Sequence, residues 1–408
     1  MTDQVASPAN VASEMPAASR PARGPWATAL RKLRSDNAAM VALLIFLLIV
    51  ALCLLAPFYA QYVAHSDPFR SNLSGKIMLA GKRVPVMESS TEGLGLGFTP
   101  IGPTWDITAY FLGADGQGRD VAARLLYGGR NSLVIAGVST AMCLVLAAIV
   151  GLVAGFFGGI ADWVLSRLLD VLWAFPVYLL AISLSIVLIS HGIDIGPISI
   201  NAGSLSLPIF IIGIIYVPYV ARPICGQVMA LTQSEFVLAA IGLGVPNHRI
   251  LFRDILPNVM TTLIVFVPLM MAINMLTESA LSFLSIGVQP PDASWGTIIQ
   301  DGQELLYTRP MVALAPGIAI VITVLALNIL GDGVRDALDP RSKLRIRTAS
   351  MLGAIVKRLG QMLFVMFGIS VLVFLIFFAT PGADPAARIA GRNASPETLA
   401  AVRKDFGF

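Results

Sequence analysis

The sequence predicts an all-α polytopic membrane protein. Two observations carry that class. Of its 408 residues, 56% are hydrophobic and only 13% are charged, which is too apolar for a soluble domain of this length. The apolar residues also gather in runs about as long as a bilayer crossing requires. These are Ala38–Phe58, Leu133–Phe157, Val171–Ile189, Leu207–Val220, Val259–Ile286, Met311–Leu330 and Leu359–Ala379. The fourth is short. Each must be helical, because a helix satisfies its own backbone in hydrocarbon.

Other classes recede on composition. The net charge of +4 comes from basic residues beside the spans, so no nucleic acid is implied. Cys53, Cys143 and Cys225 fall in or beside apolar runs without metal spacing, and read as buried small residues. His65, His191 and His248 lie far apart, so neither a metal site nor a catalytic residue is expected. A phosphate-cradling loop would need Gly-Lys-Ser/Thr after a strand, and the chain has none.

Residues 1–34 read as a disordered tail, its first part rich in Ala, Ser and Pro. Arg31, Lys32 and Arg34 close it and predict a cytoplasmic N-terminus. The first run is too long for a secretory signal and lacks a convincing small-residue cleavage site, so it reads as an uncleaved anchor. By alternation, Arg222–Arg253 and the basic stretch Arg335–Arg358 are cytoplasmic. Ser190–Ser206 has no Lys or Arg and Gly287–Pro310 has only Arg309, so both are external.

The external loop 60–131 ends in LGADGQGRDVAARLLYGGRNSL. Asp120–Tyr127 reads as a short amphipathic helix, with Arg124 opposite Asp120 at i+4. Gly128-Gly129 are expected to end it before the second span. Gly151, Gly155, Gly158 and Gly159 read as small residues that let helices approach closely. Asp162, Arg167 and Asp170 follow at helical spacing and predict a local ion pair.

The loop 222–257 contains EFVLAAIGLGVPNHRILFRDILPN, Glu235–Asn258. Glu235–Leu243 has no breaker and good helix formers, and Glu235 complements the dipole of its first turn. Gly244 stops that helix and Pro246 prevents direct continuation. His248–Leu256 predicts a second short helix with Arg249 and Arg253 on one face, and Pro257 suits the start of the next. Spacing alone leaves a basic loop and a protruding helical hairpin as equal readings.

Glu278 lies at membrane depth in the fifth span, four residues after Asn274. A carboxylate there costs about 2.5–3.5 kcal/mol on insertion scales, so it should face protein or water. Both residues are candidates for pore lining or helix packing. Beyond them, Pro290-Pro291 predicts an extended turn and Trp295 suits the membrane interface. Gly331 and Gly333 are expected to break the sixth span.

Five segments together carry a resemblance. LGADGQGRDVAARLLYGGRNSL, RLLDVLWAFP, the 222–257 loop, LSFLSIGVQPPDASWG and NILGDGVRDALDPR occur in that order. They resemble the C-type subunit of the dipeptide, oligopeptide and nickel family of ABC-importer permeases, over about Ser35–Arg341. In that family's Glu-Ala-Ala loop motif, Ala239, Ala240, Gly244, Leu256 and Pro257 match here. Leu238 stands at the Glu position, with Glu235 three residues upstream, and Asp254 stands at the Ile position.

The resemblance implies a six-helix type I importer core in residues 35–345. It implies a coupling loop that docks on an ATP-hydrolysing subunit, and Asn247 and Arg249 fall within it. The implied partners are a B-type permease, two ATP-binding subunits, an external solute-binding protein and membrane lipid, in the bacterial inner membrane, with no cofactor. Short peptides are the first solute implied. Residues 346–408 bring one extra spanning helix near the C-terminus and resemble the truncated start of a B-type permease. A fusion, a frameshifted gene pair or a non-functional truncated product are the readings for that join. The competing classes are a polytopic membrane enzyme and an ion-coupled transporter. The first lacks clustered His, Asp or Glu, and the second lacks intramembrane charges paired across repeats.

Overall fold

The computed structural model describes residues 25–79, 81–89, 97–191, 193–195, 198–200, 204–339, 351–376 and 396–406. The chain divides into two compact units, Met1–Pro340 and Arg341–Phe408.

The first unit opens with α1, Pro25–Ser35. The end of the predicted disordered tail is therefore helical. Asp36 then starts α2, Asn37–Leu54, by accepting from the Ala38 and Ala39 amides. A short helical segment and a π-turn, Tyr59–Val63, lead into the long loop. There the all-α expectation is incomplete. The hairpin β1–β2 pairs Lys76–Leu79 with Lys82–Pro85, and β3–β4 pairs Met87–Ser89 with Phe98–Pro100. Val86, Ile101, Tyr110 and Ala114 bury themselves beneath these hairpins as a small separate core.

The longest helix, α3, runs Val121–Phe157. Asp120 caps it through the Ala122 and Ala123 amides. The expected break at Gly128-Gly129 does not occur. A Cβ on Gly129 would sit 2.7 Å from the Trp295 ring, and one on Gly128 would sit 2.9 Å from Ile298. These glycines admit a neighbouring helix, and the backbone stays helical. Gly151 and Gly155 face Ile224 and Val228 at similar range, as the spacing predicts. Gly158 and Gly159 do not pack. Both have positive φ, +60° and +52°, with open space around them, and they turn the chain.

Two bent helix pairs follow. α4, Gly159–Ala174, meets α5, Val177–His191, at 90°. The cause is Pro176, which forces Phe175 into extended backbone, φ −94° and ψ 140°. The predicted third span therefore straddles a bend. The strands β5, Ile193–Ile195, and β6, Ile198–Ile200, pair in the following loop. α6, Ser206–Ile215, then meets α7, Val217–Thr232, at 41°, with Pro218 at the break. The fourth span thus reaches Thr232, past its predicted end at Val220.

α8, Glu235–Gly242, forms the first arm of a hairpin. Asn247–Arg249 and a π-turn, Ile250–Ile255, then run directly into α9, Leu256–Phe283. The predicted second short helix is thus the foot of the fifth span, with Pro257 in the first turn of α9. α10 is Trp295–Gln303, and α11 is Met311–Leu338. Gly331 and Gly333 leave α11 intact, and a Cβ on Gly331 would lie 3.3 Å from Pro268. Among the described residues, four helices alone are long and apolar enough to cross a membrane. Counting each bent pair as one span gives six.

Two buried clusters frame the unit. Ile224, Val228, Val237, Ile250, Ile255 and Met270 join the hairpin to α7 and α9. Cys53, Met275, Trp295, Ile298 and Val312 join α2, α9, α10 and α11 at the other end. Trp295 is thus in the core, with its indole Nε1 donating to the Leu125 carbonyl at 3.0 Å.

The second unit contains α12, Met351–Phe374, and α13, Pro396–Phe406. The end of the predicted seventh span, at Ala379, lies outside the described residues.

Candidate functional site

The hairpin Glu235–Asn258 is shaped by two local devices. α8 ends in a Schellman motif: the Val245 amide donates to the Ala240 carbonyl at 3.1 Å and the Gly244 amide to Ile241 at 2.9 Å. Gly244 has φ +72°, a conformation that glycine adopts without penalty. Nothing lies within 4 Å of its missing Cβ, so the constraint there is conformational and not steric. At the far end the Asn258 amide group donates to the Asp254 carbonyl at 2.7 Å. Gln227 of α7 in turn donates to the Asn258 carbonyl at 3.4 Å, tying the hairpin's base to the preceding span.

One side of the hairpin is buried, through Val237, Ile250, Leu251 and Ile255. The other is exposed and mixed. Glu235, Ala239, Gly244, Asn247, Arg249 and Pro257 are exposed, and Ala240 and Leu256 are half-buried. Phe236, Leu238, Ile241, Leu243 and Phe252 add exposed apolar surface, with Leu243 84% accessible. Basic residues, Arg249 and Arg253, thus stand beside an apolar patch on this face.

Asn274 and Glu278 lie elsewhere. Asn274 donates to the Thr140 hydroxyl at 2.9 Å, pinning α9 to α3, and its own Oδ1 is buried without a partner. Glu278 has no solvent exposure. The Ser282 hydroxyl donates to it at 2.7 Å and Ser279 at 3.5 Å, and the Ser132 and Ser294 side chains lie close to its carboxyl group. Ser132 belongs to α3 and Ser294 caps α10, so Glu278 sits where three helices meet.

One ionic cluster escaped the sequence reading, and a second was read only in part, through its Arg167–Asp170 pair. At the loop end, Arg119 and Arg124 share Asp115 and Asp301, at 2.7–3.3 Å. Arg124 therefore pairs with Asp301 of α10, while Asp120 is occupied as the cap. Burial raises the Asp301 carboxyl above its usual range, against the pull of Arg124 and Arg119. Burial likewise raises Asp120, against its capping bonds. The second cluster joins Asp170 of α4 to Arg222 of α7 at 2.6 Å and to Arg167 at 3.2 Å. Asp162 bonds Ser166 instead of the predicted Arg167. A signal did exist for this cluster: Arg222 is the single Lys or Arg between Arg167 and Arg249.

Comparison with known proteins places these features in context. Residues 147–344 match a family model described as a binding-protein-dependent transport system inner membrane component. Residues 24–74 match the N-terminal TM domain of oligopeptide transport permease C. Residues 351–408 match the N-terminal part of a binding-protein-dependent transport system membrane component. The dipeptide transport system permease protein DppC of Alkalihalophilus pseudofirmus is 31% identical over 78% of this chain and 91% of its own length. The glutathione transport system permease protein GsiD of Pectobacterium atrosepticum is 32% identical over 79% and 93%. The oligopeptide transport system permease protein OppC of Bacillus subtilis is 32% identical over 78% and 90%. A solved structure of the MetNI methionine ABC transporter, inward facing, matches 53% of this chain and 96% of its own at 17% identity, with a TM-score of 0.43.

Proposed function

Because the chain belongs to the ABC-importer permeases of the dipeptide, oligopeptide and glutathione type, we propose that it forms half of a pore for peptides or a related small solute. It is an integral protein of the inner membrane. On this reading it pairs with a B-type permease, rests on two ATP-binding subunits and receives solute from an external binding protein. Its N-terminus lies in the cytoplasm, it binds no ATP itself and it does no bond chemistry. Residues 351–408 represent the start of a B-type partner.

The observation that carries the coupling role is the hairpin's exposed face. Apolar side chains at Phe236, Leu238 and Leu243 beside Arg249 would be costly to leave facing water on an otherwise packed element, and they suit a groove on an ATP-hydrolysing subunit. Leu238 replaces the family's Glu with apolar contact area. ATP-driven closure of the hydrolysing subunits would move this hairpin, and α9, continuous with its second arm, would carry the movement into the membrane. The test is Gly244→Trp. Nothing lies within 4 Å of the added Cβ and the residue is exposed, so the backbone strain at φ +72° stays local and the protein should still insert, while the enlarged face should no longer dock. Uptake by the assembled transporter should be lost at normal membrane abundance. Normal uptake would refute the coupling assignment.

A further inference from the structure

The two bent helix pairs enclose a cleft that the coupling hairpin does not use. Trp173, Phe175 and Pro176 line it from the 90° break, and Tyr216 and Tyr219 from the 41° break. Its volume is about 360 Å³. The Trp173 and Tyr219 rings stack at 6.3 Å with an interplanar angle of 6°, and Tyr219 meets Phe266 edge-on. Arg222 lies beside this cluster, with its guanidinium 5.1 Å over the Trp173 ring and its Nη2 on Asp170.

Arg222 lies ten residues, or about 15 Å of helix, before Thr232, the end of α7. α7 runs there beside the last turns of α3, where Gly151 and Gly155 admit Ile224 and Val228. Yet the side chains of Arg222, Asp170 and Arg167 are 48%, 45% and 68% exposed. Three charged groups left open on two broken spans are too costly to face lipid, so they face water or protein. Two cations share one carboxylate, so the cluster carries an excess positive charge beside an unfilled aromatic cleft.

We propose that this cleft is a solute-contact station on the wall of the translocation path: the bulky apolar or aromatic side chain of a peptide lies in the cleft against Trp173, Phe175 and Tyr216 while Arg222 receives its carboxylate. The proposal rests on the reading of the chain as a peptide permease. Its charge complements an anionic terminus, and an open cleft between two helix breaks gives a side chain somewhere to go without disturbing packed core.

The test uses the whole assembled transporter in vesicles, with Cys53, Cys143 and Cys225 replaced. In one variant, Phe175→Cys is exposed to a charged methanethiosulfonate reagent with and without alanyl-phenylalanine. Labelling that the dipeptide slows is expected. No labelling, or labelling that no imported peptide slows, would mean that lipid or the partner permease covers the cleft, and would overturn the proposal. In a second variant, Trp173→Ala, uptake at saturating solute should fall about tenfold for alanyl-phenylalanine, the size of one lost ring contact. Uptake of dialanine should change by less than about twofold. Equal slowing of both would mark Trp173 as structural and also overturn it. A parent transporter that labels normally yet imports neither dipeptide would show that the peptide-permease reading itself has failed, and the peptide subsite with it.

Discussion

Gly244 and Glu278 show how different the demands on single residues are in this molecule. Gly244 is exposed and unconfined, and what it supplies is a positive φ that completes the cap of α8. Gly244→Ala should therefore cost about 1–2 kcal/mol of local stability, and Gly244→Asn should recover much of it, since Asn tolerates that conformation. Amide hydrogen exchange across Glu235–Gly242 would read this out: faster exchange with Ala than with Asn is expected, and equal rates would contradict it. Glu278 is wholly enclosed beside serine hydroxyl groups, with no salt bridge among the described residues. Glu278→Gln keeps both hydrogen-bonding capacity and shape, so thermal unfolding in detergent should change little. Glu278→Ala leaves Ser282 short of a partner and should cost about 1–3 kcal/mol. A Gln variant as unstable as the Ala variant would show that the charge of Glu278, and not its hydrogen bonds, holds the joint. The sequence marked this residue as costly, but it could not say that the serines converging on it come from three helices.

At the scale of elements, the apolar runs located the spans well because their signal is local. The breaks at Phe175-Pro176 and around Tyr216 also have local causes, in Pro176 and Pro218. Glycine was the ambiguous letter. At Gly158 it turns the chain, whereas at Gly129 and Gly333 it sits inside a continuous helix and admits Trp295 or Ala39. Which role it plays depends on a surface supplied by a distant segment, and spacing within one helix does not encode that. Gly129→Val tests the packing role. The added methyls would meet Cys53 and the Trp295 ring, so a loss of about 1–3 kcal/mol is expected as a lowered melting temperature. An unchanged melting temperature would mean that α3 and α10 are less closely fitted than the geometry states. The Asp115–Arg119–Arg124–Asp301 cluster was illegible for the same reason, since Arg119 and Asp301 are 182 residues apart.

At the scale of the whole molecule, a six-span unit and a separate C-terminal unit each carry a match to binding-protein-dependent transport components. In the first unit, the two clusters of buried side chains join the hairpin to one end of the helices and α10 to the other. That arrangement suits an element that passes on motion from a partner. If residues 351–408 are only the start of a B-type partner, a chain ending at Pro340 should still insert and assemble with a complete B-type permease. Co-purification of that shortened chain would check this, and its failure would give the second unit a role in assembly. Docking of the Glu235–Asn258 hairpin on an ATP-hydrolysing subunit is the proposal on which the transport reading turns. The most direct measurement places a cysteine at exposed Asn247, in a chain with its three native cysteines replaced, and tests disulfide crosslinking to a co-expressed ATPase subunit carrying a cysteine in its docking groove. A crosslink that forms only with the full B-type permease present is the predicted result. No crosslink in the assembled complex would mean that the hairpin does not dock there.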